Sequence, residues 1–136
     1  MLANRIVSSG AAMPWSIVDG TTPSDTGFWA PTIQAGSGMV NAWKVLNYTT
    51  GLNFERFNLN DTHHFSRYQS VDITNHADVT IDYTFSLQPA AGIEAKSPTD
   101  DGVAVLADLK PLKMVPAMKM PSGSFKLAPG QTKRAE

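Results

Sequence analysis

Residues 79–87 read VTIDYTFSL, the most regular alternation of apolar and polar residues in the chain. Successive side chains of a β-strand point to opposite faces, so a period of two predicts a strand with one buried face. Residues 75–78 (NHAD) predict a turn before this strand, and Pro89 predicts its end. Tyr83 falls on the apolar face of the predicted strand.

Shorter alternating runs lie on both sides of this segment and are separated by turn signals. Short strands at such spacing predict an all-β fold, an antiparallel β-sandwich. Besides a first strand marked by Phe54, Phe57 and Leu59, the predicted strands cover residues 71–74, 103–109, 112–120 and 124–127.

Two features limit the predicted sandwich. Pro116 cannot donate a ladder hydrogen bond, so its strand is expected to be kinked or at an edge. Residues 128–131 (APGQ) predict a turn, after which a strand should follow. We expect that strand to be missing, so that the sandwich is truncated at its last strand.

The first 50 residues have a different character, with two short helices and a connecting loop predicted. Apolar residues at helical spacing in residues 2–7 precede Ser-Ser-Gly and indicate the end of a helix. Residues 14–31 are rich in Gly, Pro, Thr and Asp, which predicts an extended surface loop. Residues 39–47 predict a short amphipathic helix. Because little in this segment could cover its aromatic side chains, we expect it to form one side of an interface. It contains all the tryptophans of the chain, Trp15, Trp29 and Trp43.

Composition excludes several classes of protein. The 136 residues include 11 basic and 12 acidic side chains, so no basic surface for nucleic acid or anionic lipid is expected. The absence of cysteine excludes disulfides, zinc fingers and thiol catalysis. No apolar run approaches the roughly 20 residues that a membrane span requires. The opening residues also lack the apolar stretch of a secretory signal, so no signal peptide is expected in this chain.

Few residues suggest chemistry. His63 and His64 are adjacent, and adjacent side chains of an extended chain point apart, so we do not expect them to share a metal ion. Residues 100–102 (DDG) lack the further oxygen ligands of a calcium loop and predict a turn. Ser37 lies between two glycines but not in the G-x-S-x-G arrangement of a nucleophile elbow. We therefore assign no catalytic, cofactor or metal residue. Two N-x-[S/T] tripeptides make Asn47 and Asn60 candidate N-glycosylation acceptors.

Six segments, in order along the chain, resemble one protein family. Residues 30–44 read APTIQAGSGMVNAWK and are similar to the Gly-x-Gly-[Leu/Met]-[Val/Ile]-[Asn/Asp]-Ala segment of subtilisin-like serine proteases. The following segments are similar to the join between the catalytic domain and a fibronectin-III-like domain in large fungal secreted members of that family. These are LNYTT (46–50), FNLNDTHHF (57–65), VDITN (71–75), AAGIE (90–94) and FKLAPGQTK (125–133).

The resemblance implies a parent that is a secreted, extracellular serine endopeptidase. Residues 1–50 would be the C-terminal remnant of its catalytic domain, and residues 51–136 an incomplete fibronectin-III-like β-sandwich. The family's catalytic Asp, His and Ser and its oxyanion Asn lie upstream of the matched part, and no position here corresponds to them. The chain is therefore expected to be an inactive fragment whose partner is the parent's catalytic domain, without nucleic acid or membrane.

Another class of protein remains open, a free-standing β-sandwich that binds a protein or glycan partner. Such a module would present exposed aromatic residues on one sheet face. Tyr68, Tyr83 and Phe65 are the candidates, although Tyr83 falls on the apolar face. A third alternative is that the chain is a remnant that does not fold stably. A cooperative melting transition would exclude it.

Overall fold

The structure, a computed structural model, describes residues 2–19, 22–55, 57–94, 102, 110–114 and 117–136. Within these ranges the protein is mostly β, with antiparallel sheets and a few short helices, as the alternation predicts. The helices are α1 (Leu2–Ser8), α2 (Thr32–Ala35) and α3 (Ala42–Asn47). The strands are β1 (Pro14–Asp19), β2 (Thr22–Trp29), β3 (Thr50–Phe54), β4 (Val71–Asn75), β5 (Ile81–Thr84), β6 (Gly92–Glu94), β7 (Lys110–Leu112), β8 (Ser124–Leu127) and β9 (Thr132–Ala135).

The chain divides into two compact units, each built from separate stretches of sequence. The first unit comprises Met1–Ser9, Asn41–Ser86 and Met118–Glu136. The second comprises Gly10–Val40 and Leu87–Ala117. The domains expected from the resemblance, residues 1–50 and 51–136, stay a prediction.

The first unit contains two antiparallel sheets that contribute to one hydrophobic cluster. One sheet has the strand order β3-β4-β9, and the other pairs β5 with β8. The ring of Phe125 on β8 stacks on those of Tyr83 and Phe85 at centroid distances of 5.5 and 5.8 Å. Tyr83 therefore lies in the core, as its place in the alternation predicts. The cluster consists of Ile73, Leu127 and Ala135, with Leu52, Val71, Tyr83, Phe85 and Phe125 packed against them.

The strand expected over residues 79–87 is shorter in the structure, where β5 covers only Ile81–Thr84. Val79 is still part of the preceding turn, because the side-chain amide of Asn75 donates to its carbonyl at 2.8 Å. Phe85 lies beyond the strand and still packs on the core. Val79 is 60% exposed, so the apolar pattern correctly marks core-facing residues at Tyr83 and Phe85 but not at its first position.

The turn predicted at residues 128–131 forms, with the Gln131 amide donating to the Ala128 carbonyl at 3.1 Å. The expectation that no strand follows this turn is wrong. Strand β9 (Thr132–Ala135) follows it and pairs with β4. Its sequence, TKRA, lacks apolar alternation because only Ala135 is buried in the core. Cross-strand side-chain pairs, including a 2.8 Å hydrogen bond between Thr74 and Thr132, contribute to its pairing.

The other strand predictions are met in part. The runs at residues 71–74 and 124–127 correspond to β4 and β8. The first strand is β3 (Thr50–Phe54), whereas Phe57 and Leu59 lie outside it and are exposed. The strand predicted over residues 112–120 is wrong in its described part: β7 covers Lys110–Leu112, and residues 113–114 and 117–120 form no strand. The strand predicted at residues 103–109 and the kink at Pro116 lie outside the described residues.

Both predicted N-terminal helices form. Helix α1 covers Leu2–Ser8, and α3 covers Ala42–Asn47. The side chain of Asn41 accepts a 3.0 Å hydrogen bond from the Lys44 amide and so caps α3, because the first amides of a helix lack partners within it. No described helix has the length and apolarity needed to cross a bilayer.

The prediction of an extended loop over residues 14–31 is wrong. In the second unit, β1 and β2 form an antiparallel hairpin over Pro14–Asp19 and Thr22–Trp29. Trp15 is buried in this unit, and its carbonyl accepts a 2.7 Å hydrogen bond from the Thr26 hydroxyl. The composition of the segment is typical of loops, but strand pairing and burial of one indole outweigh that local preference.

Gly38, one of the two glycines in the segment that resembles the family, allows a close approach of two backbones in the second unit. Ala11 and Met39 form a β-bridge, each amide donating to the other's carbonyl at 2.9 Å. Gly38 has a φ of 95°, and a Cβ atom there would overlap the Ala11 carbonyl. Only glycine satisfies both the backbone angle and the contact at this position.

Candidate functional site

The solvent face of the three-stranded sheet carries a row of polar side chains. Asn53 of β3 stands opposite Asp72 of β4, which stands opposite Arg134 of β9. Their neighbours Leu52 and Ile73 belong to the hydrophobic cluster, so alternation places the polar row on the other face. This row is one wall of the candidate site.

Asp72 and Arg134 form a bidentate ion pair within this row. The Nε and Nη2 atoms of Arg134 donate to the two carboxylate oxygens of Asp72 at 2.7 and 2.9 Å. The hydrogen bond from Arg134 lowers the pKa of Asp72, and the carboxylate in turn raises the pKa of Arg134. The pair holds β9 against β4 and keeps both charges at fixed positions.

The connection between β3 and β4 forms the second wall, and its own side chains brace it. The Asp61 carboxylate accepts the amides of His63 and His64, both at 2.8 Å, and lies 3.2 Å from the His64 Nδ1 atom. The pKa of Asp61 is lowered by the His64 amide, then by the His64 ring and by the His63 amide. These bonds fold residues 61–64 into a tight turn.

Gln69 stabilises the same connection through hydrogen bonds to its backbone. Its Nε2 atom donates to the carbonyls of Asn58 and Ser66, both at 3.1 Å, and the Ser66 amide donates to the Leu59 carbonyl at 2.9 Å. The described residues of this connection, 55 and 57–70, form no strand or helix and are held by internal hydrogen bonds.

A cleft of about 530 Å³ lies between the polar row and this connection. Tyr68 is 72% exposed and Phe57 is 54% exposed, so both present aromatic surface to solvent. The cleft can offer aromatic contacts beside neutral amides, and its charged residues include one ion pair. Its lining consists of Asn53, Phe54, Glu55, Phe57, Asn58, Asn60, Ser66, Tyr68, Gln69, Ser70, Asp72 and Arg134.

The charged groups predict how stability responds to acid. The pKa values of Asp61 and Asp72 are both below the ordinary value of 3.8 in the folded protein. Their contribution to stability is present above about pH 4 and is lost as the pH falls through the lowered values. We expect the melting temperature to fall steadily below about pH 4, and less steeply in Asp72→Asn. Thermal melting at graded pH measures this, and an equally steep fall in the variant would contradict it.

The two candidate glycosylation acceptors lie in different surroundings. Asn60 is exposed, has a φ of 58°, and lines the cleft. Asn47 is the last residue of α3, and its Nδ2 atom donates to the Trp43 carbonyl at 3.0 Å. Both side chains are on the surface, and their glycosylation stays a prediction.

His63, His64, Phe65 and Ser37 do not line the cleft, and residues 100 and 101 of the predicted DDG turn lie outside the described residues. His63 and His64 are exposed in the turn that Asp61 holds. Ser37 is exposed in a turn of the second unit, beside the backbone of Gly10. In the described ranges no three His, Cys, Asp or Glu residues are placed to hold a metal ion.

A second surface feature is the apolar side of α1 and α3. Trp43 is 65% exposed and Leu46 is 77% exposed on α3, and Leu2 is exposed on α1. The Arg5 guanidinium of α1 donates to the Tyr48 carbonyl, just after α3, at 2.9 Å. The Ser9 hydroxyl accepts the Asn41 amide at 3.2 Å. The two helices are therefore tied together while their large apolar side chains face solvent.

Sequence reasoning identified Tyr68 and Asn60 but missed Asp72, Arg134 and Gln69. The paired charges are separated by 62 positions, and only the pairing of β9 with β4 brings them together. Asp72 occupies a polar position in a predicted strand, whereas Arg134 follows the last turn, where no strand was expected. Gln69 carried no signal because its role depends on the path of the loop.

Searches with protein-family models, among curated proteins and among solved structures found no match to this chain.

Proposed function

We propose that this chain carries the end of the catalytic domain and an accessory fibronectin-III-like β-sandwich of a secreted, subtilisin-like serine endopeptidase. By itself it would have no peptidase activity. The ordered resemblance from residue 30 to residue 133 is the observation that carries the proposal. Two antiparallel sheets sharing one cluster around Ile73 and Leu127 are compatible with a sandwich.

The exposed side of α1 and α3 supports a partner domain. Large apolar side chains exposed on two helices that are joined by hydrogen bonds are typical of a surface that another domain covers. Leu2, Trp43 and Leu46 are prominent on this side. In the parent, the preceding part of the catalytic domain would cover them, and the β-sheets would brace that domain.

Absence of catalysis follows from what a serine endopeptidase needs. The reaction requires a nucleophile, a base within hydrogen-bond reach and donors for the oxyanion. The resemblance places all of these upstream of the matched segments. The purified chain should therefore release no more peptide from casein than a blank does, as measured by acid-soluble fragments. Cleavage that a serine-directed inhibitor abolishes would contradict the proposal.

The reading frame upstream of the Met1 codon tests the origin directly. If the proposal is correct, that frame encodes the family's Gly-Thr-Ser-Met nucleophile motif. An upstream frame encoding an unrelated domain would overturn it.

Truncating the exposed apolar side chains of α3 tests whether they belong to an interface with a preceding domain. The double variant Trp43→Ala, Leu46→Ala should change the free energy of unfolding of this chain by no more than about 0.5 kcal/mol, because surface substitutions have small effects. In the protein extended by the upstream frame, the same change should cost about 3 kcal/mol, since the side chains would then be buried. Chemical denaturation measures both values, with Tyr68→Ala as the exposed aromatic control. An equal cost in both proteins would count against the interface.

A further inference from the structure

We propose that the cleft between the polar row and the β3–β4 connection binds a neutral saccharide, with a pyranose ring packed on Tyr68. The binding site is separate from the proposed interface on α1 and α3, because no residue of these helices lines it. Its volume of about 530 Å³ accommodates a few sugar rings and is within the usual range for small-molecule sites.

Neutral amides in the lining favour a ligand rich in hydroxyl groups. Each Asn or Gln side chain offers two N–H donors and an acceptor oxygen, and a sugar hydroxyl both donates and accepts. Asn53, Asn58 and Asn60 all line the cleft, and Asn53 is exposed on β3. Amides at this density can satisfy neighbouring hydroxyls without a charge on the ligand.

The charges in the lining disfavour an anionic ligand. Arg134 already donates two hydrogen bonds to Asp72, so much of its charge is neutralised within the protein. Glu55 adds a further carboxylate to the lining. A phosphate or an acidic peptide would therefore meet a net negative cleft, whereas a neutral saccharide would not.

Tyr68 provides the apolar contact that a sugar ring requires. One face of a pyranose carries C–H groups, and these pack against the electron-rich face of an aromatic ring. Tyr68 is largely exposed beside this polar surface, and the nearby Phe57 is more than half exposed. A tyrosine offers a large contact area while losing little side-chain entropy.

The cleft is also preorganised, which reduces the entropic cost of binding. Gln69 fixes the connection through the Asn58 and Ser66 carbonyls, and Asn60 donates its backbone amide to the Asn58 side chain at 3.0 Å. Asp61 holds the turn beyond them. The wall that carries Tyr68 thus does not need to be ordered by the ligand.

The saccharide could come from two sources with the same chemistry. One is a free neutral oligosaccharide, and the other is a sugar attached to Asn60, which lines the cleft. A sugar on Asn60 would occupy the site from within the protein at a high effective concentration.

Titration of the unglycosylated full chain, produced in a bacterial host, tests the site. The probe is chitohexaose, followed by calorimetry and by the chemical shifts of backbone amides. Saturable binding is expected, with the largest shift changes in residues 53–58 and 66–72. Tyr68→Ala should weaken it roughly tenfold or more, because an aromatic anchor carries much of the binding energy of such a site.

Trp43→Ala removes another exposed aromatic side chain outside the cleft lining and should leave the affinity unchanged. Three results would each overturn the saccharide site. They are binding that does not saturate at millimolar chitohexaose, equal affinity in Tyr68→Ala, and binding of inorganic phosphate or an acidic peptide instead of chitohexaose. A melting curve for each variant separates loss of binding from loss of fold. None of these failures affects the proposed origin from a protease, which is tested through the upstream reading frame and casein.

Protein secreted by a eukaryotic host distinguishes the two sources. Thr62→Ala removes the Asn60 acceptor, and Thr49→Ala removes only the Asn47 acceptor. If the sugar on Asn60 fills the cleft, the secreted protein should lose chitohexaose binding while Thr62→Ala retains it and Thr49→Ala does not. If all three proteins bind chitohexaose equally, the ligand is a free oligosaccharide. Both results require the same saccharide site.

Discussion

Replacing Asn75 by alanine is expected to lower the free energy of unfolding by about 3 kcal/mol. Asn75 is completely buried, with 0% of its surface exposed. Its Nδ2 atom donates to the carbonyls of Val79 and Leu127 at 2.8 and 2.9 Å, and its Oδ1 atom accepts the Ala77 amide at 2.9 Å. Alanine would leave these backbone groups without their partner and create a void, and buried polar groups that lose a hydrogen bond are costly.

Urea denaturation followed by circular dichroism measures this loss. The matched control is Asn47→Ala, which also removes a side-chain hydrogen bond to a carbonyl, but at an exposed helix end. The control should cost less than about 1 kcal/mol, because water can replace the lost partner. If the two variants were equally destabilised, the Asn75 network would not have the structural role assigned to it.

Gly38→Ala is expected to destabilise the second unit by about 3 kcal/mol. Two effects add at this position. The φ of 95° is one that residues with a Cβ rarely adopt, and the added Cβ would overlap the Ala11 carbonyl and lie 3.1 Å from the Ala12 amide nitrogen. Because both obstacles are backbone atoms, the overlap cannot be relieved by rotating a side chain. The bridge between Ala11 and Met39 would have to open.

Tryptophan fluorescence during urea denaturation follows this unit, since Trp15 is buried within it. Gly36→Ala is the matched control. Gly36 also has a positive φ, 58°, but a Cβ there meets no atom within 4 Å. Gly36→Ala should therefore lower the free energy of unfolding only by the cost of backbone strain, about 1–2 kcal/mol. A Gly38→Ala protein as stable as the Gly36→Ala protein would contradict the close approach of the two backbones.

The sequence predicted best those helices and strands whose structure depends mainly on their own residues. Residues 71–74 and 124–127 correspond to β4 and β8, and the helix predicted to end near Asn47 ends there. Each of these segments carries a hydrophobic period that matches its structure. The pairing of β1 with β2 was missed because the composition of these strands is typical of turns and loops.

The candidate site was predictable only in part. Tyr68 was one of three aromatic candidates, with Phe65 and Tyr83, and Asn60 was part of a glycosylation tripeptide. The Asp72–Arg134 pair could not be predicted, because a strand after residue 131 was not expected. Charges far apart in sequence become neighbours only when a register is set, and that register depends on burial of Ala135 and Ile73 in one core.

Local sequence patterns specify the β-rich class of this protein, the apolar faces of β4 and β8, and the helices α1 and α3. These properties depend on contacts between residues a few positions apart and on side-chain period. The tertiary structure decided the strand β9, the burial of Asn75 and the assembly of the cleft. Those features arise from hydrogen bonds and packing between distant segments, whose partners no local pattern specifies.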